Sequence, residues 1–198
     1  MEVHDLEGNQ VGEPIANTSP KAAIKQGFAL VTEERRATGI LGILDIRANT
    51  VIANLKSYHA GKIPLLSDRK MAKDTDRMIQ AMHIKTPNQQ QKIRNLSGGN
   101  QQKVIFGRWL LTNPDVLLLD DPTRGIDVGA KYEIYELIQQ LAKQGKSIIM
   151  VSSEMAELLG TCNRILVMSA GQIAGEYVPT DDGKVDQEKI LELAAKNL

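Results

Sequence analysis

Only one cysteine, Cys162, occurs in the 198 residues. No intrachain disulfide is therefore possible, and a reducing compartment fits. Cys162 itself reads as a small, inert residue placed just before a strand. Aromatic residues are scarce, at 4%, so the core must be built from aliphatic side chains. Net charge is also missing: Lys+Arg and Asp+Glu both number 24. A nucleic-acid partner is not expected from such a balance, because nucleic-acid-binding domains usually carry a basic excess. No apolar run approaches the ~18–20 residues needed to cross a bilayer. The start, Met1-Glu2-Val3-His4-Asp5, is not a secretory signal. Finally, the phosphate-cradling pattern G-x-x-x-x-G-K-[ST] occurs nowhere.

Two segments nevertheless point to phosphate chemistry. In Leu96-Ser97-Gly98-Gly99-Asn100-Gln101-Gln102-Lys103 a glycine pair opens a helix. A phosphate oxygen can approach backbone N–H groups closely where no Cβ intervenes. A helix start also carries about half a positive charge. Ser97 can cap that helix or offer its hydroxyl to an oxyanion. The second segment, Val116-Leu117-Leu118-Leu119, is a buried-type strand ending in Asp120-Asp121. Open α/β sheets place their ligands at this end of a strand. A carboxylate there is costly to bury unpaired, and Mg²⁺ held partly through water is the natural partner of Asp120. Asp121 can polarise an attacking water. Alternatively, the two acids cap the turn Pro122-Thr123-Arg124-Gly125.

The remaining pattern supplies a frame. Residues 1–15 predict a hairpin about Glu7-Gly8-Asn9. A short helix follows, with Thr18 or Ser19 as cap, Pro20 in its first turn and Gly27 just past its end. Phe28-Ala29-Leu30-Val31 reads as a buried strand. Between 34 and 92 the β signal fades and helix prevails. Ser67 opens a helix to about Met82 with Met71, Thr75, Met78, Ile79 and Met82 on one face, a core stripe or an adaptable partner surface. The run Gln89-Gln90-Gln91 reads as a solvated linker. From 96 onward, strands at 116–120, 148–151 and 165–168 alternate with helices at about 100–112, 128–143 and 154–159. A turn at Gly171 and an amphipathic helix at 186–198 follow. Such alternation predicts a parallel sheet covered on both faces.

Leu96–Lys103, Leu117–Asp127 and Val151-Ser152-Ser153-Glu154 resemble the signature, Walker B, D-loop and switch segments of ABC ATPases. Phe28–Arg36 and Gly107-Arg108-Trp109-Leu110 resemble especially closely the second ATPase domain of sugar-import subunits of the galactose/methyl-galactoside type, and ribose and xylose types are similar. The resemblance implies an α/β fold: a partial P-loop NTPase-like parallel sheet with helices, a helical subdomain and a small antiparallel hairpin. It implies four regions: 1–33 with hairpin and Q-loop strand, 34–92 helical, 93–180 as signature-to-switch core, and 181–198 as a terminal helix. It further implies a chain that begins after the Walker A loop and lacks ATPase activity alone. ATP and Mg²⁺ are the implied ligands. Ser97, Gly98, Gly99 and Gln101 would complete the nucleotide site of a companion ATPase domain, with Asp127 between the two sites. Asp120 would serve the metal, and Asp121, Glu33 and Ser153 the chemistry of this domain's own site.

Three positions depart from the usual ABC pattern: Glu33 replaces a glutamine, Ser153 a histidine and Asp121 a glutamate. The shorter Asp121 withdraws its carboxylate by roughly 1.5 Å, and a misplacement of that size can cost about a hundredfold in rate. Slow hydrolysis is therefore expected at this site. The implied partners are membrane permease subunits, touched by Arg35, Arg36, Arg47 and the methionine-bearing helix, a second ATPase domain or subunit and, indirectly, a periplasmic sugar-binding protein. The implied location is the cytoplasmic face of the inner membrane. Glu33–Arg36 could equally be a solvated loop. A DNA-maintenance ATPase half is disfavoured because no sustained heptads precede the signature. A ribosome-associated ABC factor is disfavoured by the absence of net charge.

Overall fold

The sheet at the centre of the molecule has three parallel strands. The structure, a computed structural model, describes residues 3–4, 10–12, 16–59, 65–179 and 187–196. Strands β1 (Val3–His4) and β2 (Gln10–Gly12) pair antiparallel, and the expected turn between them lies outside the described residues. Helix α1 (Pro20–Lys25) is capped by Ser19, whose hydroxyl accepts from the Ala22 N–H at 3.2 Å. Gly27 ends it at φ +84°, a value glycine adopts without strain. Strand β3 (Phe28–Val31) then lies beside β4 (Val116–Asp120), which lies beside β5 (Ser147–Val151), all parallel.

Strand alternation sorts the two faces. Val31, Leu117 and Leu119 point into an aliphatic core built with Val104, Ile105 and Phe106 of α4 (Gly98–Leu110) and Ile134, Ile138 and Leu141 of α5 (Val128–Lys143). The opposite face is open, which corrects the expectation of two covered faces. Leu30, Ile149 and Val151 are 44%, 59% and 60% exposed there. Nor does the parallel sheet continue to 165–168. Among the described residues, strand β6 (Ile165–Ser169) pairs only with β7 (Gln172–Tyr177), antiparallel across the Gly171 turn. A second core forms where Ile165, Val167 and Tyr177 meet Ile190 of α7 (Gln187–Ala195). Cys162 packs beside it, between α6 (Met155–Thr161) and β6, and burial raises its thiol pKa.

Residues 34–92 contain helices and no strand among those described. A π-helical turn spans Arg35–Gly39. Helices α2 (Ile46–Val51) and α3 (Asp68–Ala81) are capped by Asp45 and Ser67. In the predicted methionine stripe, Thr75 and Met78 are buried, and Met78 packs on Gly107 of α4. The stripe is core. Gln89 is not in a solvated linker: only 8% exposed, it donates to Asp76 Oδ1 at 2.9 Å, and its backbone carbonyl accepts from the Arg47 N–H. Arg108 binds this region to α4. Its buried guanidinium donates to the Gly39 and Asn49 carbonyls, each at 2.6 Å, and burial lowers its pKa to about 10. Among the described residues no helix is long and apolar enough to cross a membrane.

Candidate functional site

The carboxyl end of β4 carries the predicted acids. Asp120 alternates with Leu118 onto the open face of the sheet, opposite Val151 of β5. Its carboxylate has no hydrogen-bond or ion-pair partner among the described residues. Asp121 turns the other way, with φ +41°. Such a backbone costs a non-glycine residue about 1–3 kcal/mol and persists only where neighbours over-determine it. The Asp121 N–H donates to the Val151 carbonyl at 2.9 Å. Its Oδ1 accepts from the Ser153 N–H at 2.8 Å and the Ser153 hydroxyl at 3.2 Å. Two of the predicted catalytic residues therefore meet. Glu33, at the end of β3, forms an ion pair with Arg124, which also lies 3.6 Å from Glu34.

The predicted signature residues divide. Exposed Ser97 caps α4, accepting from the Asn100 N–H at 3.4 Å and from Asn100 Nδ2 at 2.9 Å. Gly98 is half-buried; a Cβ there would stand 2.9 Å from Arg35 Nη2 and 3.2 Å from the Gly125 carbonyl. A Cβ on buried Gly99 would fall 2.4 Å from the Ala130 Cβ. Both glycines thus permit close packing of the helix start. Gln101 is 3% exposed and its side chain is buried within the chain. It accepts from Arg35 Nε at 3.2 Å and donates to the Leu96 and Ile93 carbonyls at 3.0 and 3.2 Å. Asp127 is exposed and caps α5, accepting from the Ala130 N–H at 3.0 Å.

Arg35 departs from the expected partner contact. It is buried and donates to the Arg124 and Gly125 carbonyls at 3.2 and 3.5 Å, besides Gln101. Burial, then the neighbouring Arg36, lowers its pKa. Arg47 pairs with Asp68 at 2.9 Å. The charged run 33–36 is therefore a solvated loop only in part: it latches β3 to the loop after Asp121.

A second group had no predicted role. Glu157 of α6 is 4% exposed. Its carboxylate accepts from Thr123 Oγ1, from Tyr135 OH at 2.6 Å, from Ser152 Oγ at 2.7 Å and from Lys131 Nζ at 3.2 Å. Burial alone would raise the Glu157 pKa, but these donors outweigh it and hold the carboxyl below its ordinary value. Burial and the Glu157 hydrogen bond push Tyr135 up to about 12. Glu154 and Glu157 raise the Lys131 pKa against the opposing effect of burial. Only the placement of a glutamate beside Leu158 and Leu159 hinted at this in the sequence. Among the described residues no cluster of three His, Cys, Asp or Glu forms a ready metal site.

Solved ATP-binding cassettes share this arrangement of sheet and helices. A nucleotide-free cassette from an ABC transporter superposes with a TM-score of 0.74 at 19% identity, over 98% of this chain and 77% of its own. A dimeric cassette in a post-hydrolysis state, bound to ADP and Pi, gives 0.66 at 20%, over 80% and 66%. The fold is that of an ATP-binding cassette. The chain belongs to the ABC transporter family, whose sequence profile matches residues 6–124. Among curated relatives, the galactose/methyl galactoside import ATP-binding protein MglA of Mannheimia succiniciproducens is 58% identical over 94% of this chain and 36% of its own length. That of Pasteurella multocida is 54% identical over 100% and 37%. The chain therefore spans little more than a third of these relatives.

Proposed function

We propose that the chain is part of an ATP-hydrolysing subunit that energises import of a monosaccharide of the galactose/methyl galactoside type. The observation that carries this reading is the 58% identity to an import ATP-binding protein across 94% of the chain. Residues 34–92 act as the helical subdomain, and 93–180 form the signature-to-switch core. Asp121 and Ser153, already in contact, orient the attacking water in this domain's own site, with Glu33 at its rim. Ser97, Gly98 and Gly99 serve the nucleotide of a companion ATPase domain, beside Asp127. Gln101 acts behind them by fixing the helix start. The subunit sits at the cytoplasmic face of the inner membrane, held by permease subunits and supplied by a periplasmic sugar-binding protein.

The residues present fit a Mg²⁺ held by one protein carboxylate. Asp120 has no partner among the described residues and stands at a strand tip, and Mg²⁺ commonly keeps waters and phosphate oxygens as its other ligands. When bound it would neutralise phosphate charge. Transport of a radiolabelled sugar by the assembled transporter tests the reading. Ser97→Asp, which sets a negative charge at the exposed helix start facing the companion nucleotide and keeps an N-cap acceptor there, should abolish uptake while leaving subunit assembly intact. Undiminished uptake by that variant would rule the assignment out.

A further inference from the structure

The Asp121–Ser153 pair is held from both flanks by one carboxylate that contacts neither residue. Thr123, two positions after Asp121, donates to Glu157, and so does Ser152, immediately before Ser153. The other two donors, Lys131 and Tyr135, anchor the same carboxylate to α5. Glu157 thus ties the loop after β4, the segment after β5, and two helices at a single buried point. Asp121 has a backbone in the left-handed region, which needs such constraint from its surroundings. A buried carboxylate with donors from separate segments supplies constraint at low cost, because both of its oxygens are hydrogen-bonded, Oε1 to Thr123, Lys131 and Tyr135 and Oε2 to Ser152. Removing its charge leaves those donors competing for one weaker acceptor.

We propose that Glu157 is a positioning residue for hydrolysis, setting the distance between Asp121 and Ser153 through Thr123 and Ser152. This rests on the reading of Asp121 as the water-orienting acid. Charged groups around it are Lys131 and Glu154, which meet each other at 2.5 Å.

The test is single-turnover ATP hydrolysis by the complete ATP-binding subunit in its transporter. Asp121→Asn identifies the phase that belongs to this site. Glu157→Gln should slow that phase about tenfold or more, as expected when a reacting geometry loosens, with the ATP concentration for half-saturation unchanged. In the Asp121→Asn background the same change should matter less than about twofold, because residues acting as a unit are not additive. Ser152→Ala removes one arm only and should reproduce the slowing if Glu157→Gln does not fold. Ile138→Val, a core change on α5, should lower melting temperature without altering the rate. Equal slowing by Glu157→Gln in both backgrounds, or none in either, overturns the inference. A rate indifferent to Asp121→Asn instead overturns the site reading beneath it.

Discussion

Asp121 is the residue at which backbone strain, hydrogen bonding and the proposed chemistry coincide. Its carboxylate is spent on Ser153 and is one methylene shorter than a glutamate would be. Asp121→Glu should therefore raise turnover at this site by up to about a hundredfold, read as acceleration of the slow phase in single-turnover hydrolysis. An unchanged slow phase would refute the explanation from side-chain length. Glu157 makes a separate prediction on stability. Its folded pKa lies below its ordinary value of 4.5. The unfolded state thus binds the proton more readily, and the stabilisation is present above pH 4.5 and lost as pH falls through the depressed folded value. Melting temperature should drop on acidification over that window, and the drop should be shallower in Glu157→Gln. Neither residue's partner was legible locally. Asp121 stood out as an acid at a strand tip, whereas Glu157 reads as an ordinary surface glutamate of a short helix until Thr123, Tyr135 and Ser152 converge on it.

At the scale of elements, the start of α4 is a packed joint. Gly99 sits where a Cβ would overlap Ala130 of α5, and Gly98 lies beneath Arg35 and the Gly125 carbonyl. Gly99→Ala should force α4 and α5 apart and destabilise the chain by about 1–3 kcal/mol, the usual scale of overpacking. Urea denaturation measures this, and Ala130→Gly in the same chain should recover most of the loss. Failure of the second substitution to compensate would show that the joint is not the cause. The glycines were visible in the sequence, but their reason was not. Phosphate approach and helix–helix contact ask for the same residue type. Helix caps were more readable: Ser19, Ser67 and Ser97 each cap the helix they precede. A cap depends on residues three positions apart.

Across the whole molecule, among the described residues, one face of the central sheet is left bare. Leu30, Ile149 and Val151 form an apolar strip on the uncovered sheet face. It runs toward a groove of about 310 Å³ lined by Ile24, Phe28, Leu118 and Trp109. A contiguous apolar surface of this kind marks a contact that another segment makes. The isolated chain should bind a hydrophobic dye strongly and self-associate, and Ile149→Lys with Val151→Lys should reduce both effects. A monomeric wild-type chain that ignores the dye would contradict this. The same chain should hydrolyse ATP at well under ~1 s⁻¹, below the ordinary enzyme range, because Asp120 and Asp121 alone offer no phosphate cradle.

By itself the sequence determined the local order of the molecule: capped helices, aliphatic strands, a glycine-led helix start and acids at a strand end. Each depends on near neighbours and on periodicity, so each is written within a few residues. Only the tertiary structure decided which polar groups are spent on holding the fold. Gln89, Gln101, Arg35 and Glu157 have side chains suited equally to water or to a ligand, and nothing adjacent to them in the chain fixes which. Folding brings Arg35 to Arg124 and Gly125, and Ser152 and Thr123 to Glu157. It also covers one sheet face and leaves the other bare. A partner set by distant chain segments has no local signature, since the free energy of a buried polar group depends on what surrounds it.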